Sequence, residues 1–442
     1  MKINGLWAIS LGLVLVLWSI PSFAGEYTLE NLYRIGMLKS EKVRISGENV
    51  LIADSGTYKA LSALLPKATA FGASTMFTES KISNSSGSLI QPDTQQAWGV
   101  RIDETLTLNG KEFTSYSQSK DNLEKNRFDY RTFQEDFLLT VSLAYFEFLK
   151  ARKGLEIADS NVERLTKYLS AARTRLKAGE ITKTTVLRAE GELSGALSDQ
   201  IKARNAYEIA RVTLARLVSI ERDFTILEIP VQEGKIGSLQ ELQHAALKNR
   251  FDVKSVEMQV KIAEKQIDIS RGAFWPTVTL SGVYAGTDQD PTTPTLNRES
   301  TFGLLTLNFP FYEGGFRRAD VREQESRYRQ TEYQYQDYVK SVNLEVENTY
   351  LELIAQKGIL KSAQDQLVYA EDNIRAIAKQ FEFGLASSLD VIDANNLLIS
   401  AQKQVADATY NYQFFILRMM RVTGTPLMDF VSMLDAAQPA IQ

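Results

Sequence analysis

Two stretches of this 442-residue chain, Lys111 to Ala178 and Gly315 to Phe383, keep a helical period for close to 70 residues each with no proline inside. At 1.5 Å per residue such a helix is roughly 100 Å long. No compact domain needs a helix of that length, whereas an extended body that crosses a wide aqueous space does. Each stretch ends at a glycine and is followed by a second helical run, so the unit is a hairpin.

Within the second hairpin Leu360, Ala363, Leu367, Ala370, Ile374, Ile377 and Phe381 alternate three and four apart. That spacing is a heptad seam. Beyond Gly384 the beat resumes at Val391, Ala394, Leu398, Ala401, Val405, Ala408, Tyr412, Phe415 and Met419. The first hairpin repeats this with a shift of 205 positions (Gly179 to Gly384): Leu155, Ala158, Val162, Leu165, Leu169, Ala172 and Leu176, then Val186, Ala189, Leu193 and Ala196. Only Gln200, standing where Val405 stands, breaks the second run. Because heptads alone would not bring Tyr145 onto Tyr350 and Gly179 onto Gly384, the pattern reads as a duplication.

Shorter segments precede each hairpin. A helical pattern from Tyr27 to Leu65 stops at Pro66, and a second begins at the capping box Ser238 and Glu241 and runs to about Arg271, before Trp275 and Pro276. The period then changes to two. Val278, Leu280 and Tyr284 alternate with Thr277, Thr279 and Ser281, and Leu305, Leu307 and Phe309 with Thr306 and Asn308, which predicts strands at about 277–287 and 300–310. The first half predicts strands at about 67–80 and 99–108, the latter with Val100, Ile102, Leu106 and Leu108 opposite Arg101, Asp103, Thr105 and Thr107. Glu104 falls on the apolar side and spoils that pattern.

One apolar and one polar face suit either a soluble sheet packed on helices or a barrel wall between lipid and water. Four strands cannot close a barrel, so a membrane reading requires several chains; three would supply twelve strands. The loops 81–98 and 287–299 have the Ser, Asn, Asp, Thr and Pro content of exposed hairpin ends.

The expected organisation is a signal peptide at 1–24, a first repeat at 25–220 with its hairpin at 111–219, a connector at 221–237, a second repeat at 238–424 with its hairpin at 315–424, and a tail at 425–442. Lys2, the apolar run through Trp18, and Ser22 with Ala24 form the three parts of a cleavable leader. The connector and tail lack a strong period and read as segments lying against the outside of the helical body, with the end from Asp435 disordered. No cysteine and one histidine, His244, leave no thiol catalyst, thiolate metal site or histidine cluster within one chain. No phosphate loop or nucleophile elbow is present, so neither an enzyme nor a cofactor is expected. The net charge, near −5 once Lys2 is removed, gives no encouragement to nucleic-acid binding.

The leader, the twofold repeat, Leu64-Leu65-Pro66, Phe274-Trp275-Pro276, the run from Phe309 to Gly315 and the turn from Phe383 to Ala394 together resemble the TolC family of outer-membrane efflux proteins. The resemblance covers nearly all of the mature chain. It implies a mainly α fold with a membrane β part: a homotrimer whose twelve-stranded β-barrel sits in outer-membrane lipid and continues into an α-barrel crossing the periplasm. It implies an exit duct for efflux or type I secretion, with a periplasmic adaptor and an inner-membrane pump or ABC transporter as partners. A periplasmic coiled-coil scaffold or adaptor without a pore is the competing reading.

By that resemblance the turn residues Gly179, Glu180, Gly384 and Leu385 are adaptor-docking tips. Asp390 and Asp393 ring the pore entrance, and Phe381 holds it closed. Each has a plainer reading as well. Asp390 stands in a capping-box relation to Ser387, and a carboxylate in a first helical turn is favoured by the helix dipole. Phe381 continues the heptad seam, and the glycines end helices at positive φ. Arg173, Arg175 and Lys177 precede the first turn and would stabilise a helix C-terminus, with adaptor contact as the alternative reading. Ala386 stands where some relatives carry a basic locking residue, and Thr185 stands opposite Asp390 in the first copy. An entrance not locked by salt bridges is therefore expected.

Overall fold

The computed structural model of the protein describes residues 25–228, 237–294 and 296–436. The expected leader, residues 229–236 of the connector and the last six residues of the tail lie outside them. The first half comprises β1 (Gly25–Tyr27), α1 (Leu29–Lys39), α2 (Glu41–Leu61), β2 (Lys67–Met76), a small hairpin β3 (Lys81–Ile82) and β4 (Leu89–Gln91), β5 (Thr94–Thr107), α3 (Lys111–Lys177) and α4 (Lys183–Val218). After β6 (Phe224–Ile226) come α5 (Leu239–Asn249), α6 (Phe251–Gly272), β7 (Thr277–Asp290), β8 (Glu299–Asn308), α7 (Phe316–Glu382), α8 (Ser388–Val422) and α9 (Leu427–Ala436). Both α3 and α7 are 67 residues long. Among the described residues no helix is long and apolar enough to cross a membrane.

Several expected boundaries move. The helices expected from Tyr27 to Leu65 and from Ser238 to Arg271 are each broken once, at Ser40 and at Arg250, where the backbone is extended. Arg250 is only 4% exposed. Its guanidinium is held by Asp252 at 2.6 Å and Glu345 at 2.6 Å, and it donates to the Val422 carbonyl at 3.3 Å. Arg421 adds a contact to Asp136 at 2.6 Å. This ion network joins α6, α7, α8 and α3, and it fixes the break that the apolar beat passes over. Burial alone would raise the Asp252 carboxyl, but the hydrogen bond and charge of Arg250, with the charge of Arg421, hold it below its ordinary value.

Strand β5 begins at Thr94 rather than 99, because it pairs with β7 along its whole length, from Thr94 opposite Asp290 to Thr107 opposite Thr277. The loop expected at 81–98 therefore contains β3, β4 and the start of β5. The segments flanking the hairpins also carry more order than their weak period suggests. Strand β6 pairs in parallel with β1, Phe224 and Ile226 are buried, and α9 buries Leu427 and Val431. Helix α9 includes Asp435, which was expected to be disordered.

The main core sits around the middle of α3, where Phe137, Val141, Tyr145, Phe146, Phe148 and Leu149 meet Leu32 and Tyr33 of α1, Leu214 of α4, Ile416 and Leu417 of α8, and Leu427 of α9. From this girdle the molecule extends both ways as a single layer. Towards one end the strands follow the order β2-β5-β7-β8, all antiparallel. The helices continuing from them pack in the matching order α2, α3, α6, α7. Towards the other end the order is α4, α3, α8, α7.

Such a layer has two free margins, one formed by β2, α2 and α4 and the other by β8 and α7. Both are apolar and open: Ile45, Ile52, Ile201 and Ile209 on one, and Leu344, Leu351 and Ile354 on the other, are exposed. On the sheet, Trp98, Val100, Ile102, Leu280, Leu305 and Leu307 form one apolar face. The opposite face carries the Arg101–Asp103 pair at 2.8 Å, Ser281 donating to Asp103 at 2.6 Å, and Thr105 bonded to Thr279 at 2.9 Å. Glu104 breaks the apolar face as its sequence position implies, and both its carboxylate oxygens are enclosed with no hydrogen-bond partner among the described residues.

Two consequences can be measured. Arg250→Met, which removes the main partner of the buried Asp252 carboxylate and leaves it Arg421 at 3.6 Å, is expected to cost about 3 kcal/mol in equilibrium unfolding. Because the folded-state value of Asp252 is depressed, its contribution is complete above 3.8, the ordinary value, and is lost as pH falls through the lower folded value. Wild type is expected to lose its advantage over Asp252→Asn in that acid window. Glu104→Leu, by removing an unsatisfied buried carboxylate, is expected to stabilise by about 1–3 kcal/mol, read as a higher melting temperature in detergent.

Candidate functional site

The free ends of the two hairpins are built alike. Helix α3 ends with Gly179 at φ 78°, its N–H bonded to the Leu176 carbonyl and that of Glu180 to the Arg175 carbonyl. Helix α7 ends with Gly384 at φ 71°, bonded to Phe381, and Leu385 to Gln380. Both are Schellman ends, in which only glycine takes the left-handed position without strain. The returning helices start differently. In α8 the Ser387 hydroxyl accepts from the Asp390 N–H at 3.3 Å and the Asp390 carboxylate accepts from the Ser387 N–H at 2.7 Å. In α4 Thr182 makes no such cap.

This arrangement realises the plainer reading of Asp390, which is exposed and drawn below the ordinary carboxylate value by its hydrogen bonds from Ser387. Asp393 is exposed one turn on and makes no hydrogen bond or ion pair among the described residues. The two aspartates sit on one exposed side of the start of α8, while Ile392, Ala394 and Asn395 between and beside them are buried. Phe383 and Leu385 are each 79% exposed at the turn itself.

Phe381 faces the first hairpin. The Tyr168 ring lies 5.6 Å from it and the Arg175 guanidinium 4.5 Å from its centroid. Arg175 also donates to the backbone carbonyls of Phe381 at 2.9 Å and Glu382 at 3.3 Å. The helix C-terminus that Arg175 serves is that of α7, in the other hairpin, where unpaired carbonyls carry partial negative charge. Arg173, by contrast, stays within its hairpin on Glu190 at 2.7 Å.

Further up, the Tyr168 hydroxyl donates to Ser388 at 2.7 Å, Arg164 to Asn395 at 3.0 Å, and Asn395 to Asn161 at 2.9 Å. These bonds tie α3 to α8 across a seam that is otherwise apolar. An open cleft of about 570 Å³ remains between the turns, lined by Arg175, Glu180, Thr185, Phe381 and Ser387 among others. The two hairpin ends are therefore joined by Arg175 on the carbonyls of α7 and by the side-chain hydrogen bonds of Tyr168, Arg164 and Asn395, while Arg175 lies 3.9 Å from Glu180. Tyr168, Arg164, Asn161 and Asn395 were not singled out in the sequence. Asn395, a polar residue directly beside the seam position Ala394, was the available signal.

The sequence profile of the outer membrane efflux protein family matches residues 61–219 and 242–425. This chain belongs to that family. It is 24% identical over 307 residues to the outer membrane protein TolC of Vibrio cholerae, covering 67% of this chain and 69% of the relative. It is 22% identical over 296 residues to the alkaline protease secretion protein AprF of Pseudomonas aeruginosa, covering 64% of this chain and 60% of that one. The fold superposes on the CmeC outer membrane channel of Campylobacter jejuni with a TM-score of 0.80 at 14% identity, over 93% of this chain and 90% of the channel. This family member is an outer-membrane export duct that reaches into the periplasm.

The contacts of Arg175 predict a local effect. Arg175→Ala removes two charge-assisted hydrogen bonds and a stacking contact, so amide exchange at residues 381–389 is expected to quicken by about tenfold or more. Arg173→Ala, whose bond lies within one hairpin, should leave those amides unchanged.

Proposed function

We propose that three copies of this chain assemble into one export duct, a twelve-stranded barrel in the outer membrane continued by a barrel of helices through the periplasm. The observation that carries this is the single layer with two open margins. Unpaired backbone groups in hydrocarbon cost several kcal/mol each, so β2 and β8 cannot end in lipid unpaired. A contact of one margin with the opposite margin of the next copy is head-to-tail, and it leaves no free edge when it closes into a ring. The apolar face of the sheet then meets lipid and the face with Arg101, Asp103 and the threonines meets water. The equal lengths and spacing of the two hairpins support a duplicated ancestor.

At the other end the turns would form the periplasmic entrance. Gly179, Glu180, Gly384 and Leu385, with the exposed Phe383, would dock a periplasmic adaptor that couples the duct to an inner-membrane pump or ABC transporter. Relatives named for efflux and for protease secretion support such partners. Phe381 would hold the entrance narrow through Tyr168 and Arg175. Asp390 and Asp393 would make a ring of six carboxylates, which favours cations. Substrate passes without chemistry, so no catalytic residue or cofactor is proposed, and nucleic acid is no expected partner.

The test is reconstitution. Purified protein should run in native mass spectrometry as a trimer in detergent and conduct ions across a planar bilayer with cation preference. The double variant Asp390→Asn, Asp393→Asn should lose most of that preference while still conducting. A detergent-independent soluble rod would overturn the duct, and anion preference would overturn the role of the two aspartates.

A further inference from the structure

The inward face of the sheet is not uniformly polar. On the two inner strands it carries Arg101, Asp103 and Thr105 on β5 and Thr277, Thr279 and Ser281 on β7, with Val283 the main exception. On the two marginal strands the same face carries Phe71 on β2 and Phe302 and Leu304 on β8, which lie on that face by their pairing with Gly99, Val283 and Ser281. All three are exposed in a single copy, and the Phe71 ring leans over Gly99, where a Cβ would meet it at 2.8 Å. Large apolar side chains on a water-facing wall need an explanation, and here they gather at its margins.

The seam inside the chain supplies a template. Strand β7 starts at the residue after Pro276, β5 ends at Thr107, and those two ends pair, Thr107 opposite Thr277, with the Leu108 N–H donating to the Pro276 carbonyl at 3.0 Å. The open margins end in the same way. Strand β2 starts at the residue after Pro66 and β8 ends at Asn308. Both strands are ten residues long, so aligning those ends leaves no overhang.

We propose that copies of this chain join in one register, with Asn308 of β8 opposite Lys67 of the neighbouring copy and Glu299 opposite its Met76. Every residue then faces the correct side. Leu307, Leu305 and Gly303 on the lipid side lie opposite the neighbouring Ala68, Ala70 and Gly72. On the water side Thr306 lies opposite Thr69 and Leu304 opposite Phe71, with Phe302 diagonal to it. The marginal apolar residues thereby close on one another across the seam, which removes them from water. Shifts of two would keep the facing, and one of them would set Phe302 opposite Phe71, so the register is fixed by the matched strand ends and their internal template rather than by this cluster. This inference rests on the ring assembly proposed above and adds the partner residues.

The described chain has no free cysteine and its sequence contains none, so introduced pairs report cleanly. Directly opposed residues in an antiparallel pair have Cα atoms about 4.5–5.5 Å apart, within disulfide reach, whereas a shift of two residues adds about 7 Å. The full chain is expressed in outer membranes as Thr306→Cys with Thr69→Cys, and as Leu305→Cys with Ala70→Cys, so that both hydrogen-bonding classes of pair are sampled. The offset controls are Thr306→Cys with Phe71→Cys and Thr306→Cys with Lys67→Cys. Mild oxidation and non-reducing electrophoresis should show dimers and trimers at the matched pairs at roughly ten times the yield of the offset pairs, and none with Thr306→Cys alone. Trimers by native mass with better linking at an offset pair would overturn the register and leave the ring standing. Monomers without any link would overturn both.

Discussion

A sheet and helix layer one element thick cannot satisfy its own margins. The backbone of β2 and β8 has one unpaired side each, and α2, α4 and α7 present isoleucines and leucines to solvent on their outer flanks. In water such edges would invite aggregation, and in lipid they are forbidden by the cost of unpaired amides. In the ring proposed above, the apolar residues on these margins are the ones that the next copy covers. Among the described residues the girdle around Phe137 to Leu149 carries the main two-sided core. It lies where α1, β1, β6 and α9 wrap the layer and give it thickness.

Along this body the polar groups that matter are those that cross between distant parts of the chain. Arg250 is buried and binds carboxylates on α6 and α7, so breaking it exposes no surface but leaves charge without a partner. That asymmetry makes the network a strong constraint on geometry even if a well-packed apolar replacement would be no less stable. At the turn end the ties are weaker and more exposed. Arg175 reaches the carbonyls that end α7, and Tyr168 reaches Ser388. A few hydrogen bonds beside an open cleft hold these two hairpin ends together at only moderate cost.

The lengths of the long helices, their glycine turns, the period-two strands and the capping boxes at Ser238 and Ser387 were legible in the sequence, because each is written in residues a few positions apart. The chemistry of the candidate site was legible only in part. Gly179, Gly384, Asp390 and Phe381 could be placed at the turns from the heptad beat. That Phe381 is clamped by Arg175 and Tyr168 from the other hairpin could not, since the heptad pattern does not say which neighbouring helix a seam residue meets.

What the sequence determined by itself was therefore periodic: rise, face and turn, each set by local backbone geometry and the spacing of apolar side chains. The tertiary structure decided the rest. It broke two helices at Ser40 and Arg250, where one extended residue interrupts the backbone but not the apolar beat, and it ordered β6 and α9 by burying Phe224, Ile226, Leu427 and Val431 in a core assembled from the whole chain. It also set the strand order that leaves β2 and β8 at the margins. Those outcomes depend on contacts between residues roughly one to three hundred positions apart, such as Arg250 with Val422 and Glu135 with Leu427, and no local pattern encodes a partner that far away.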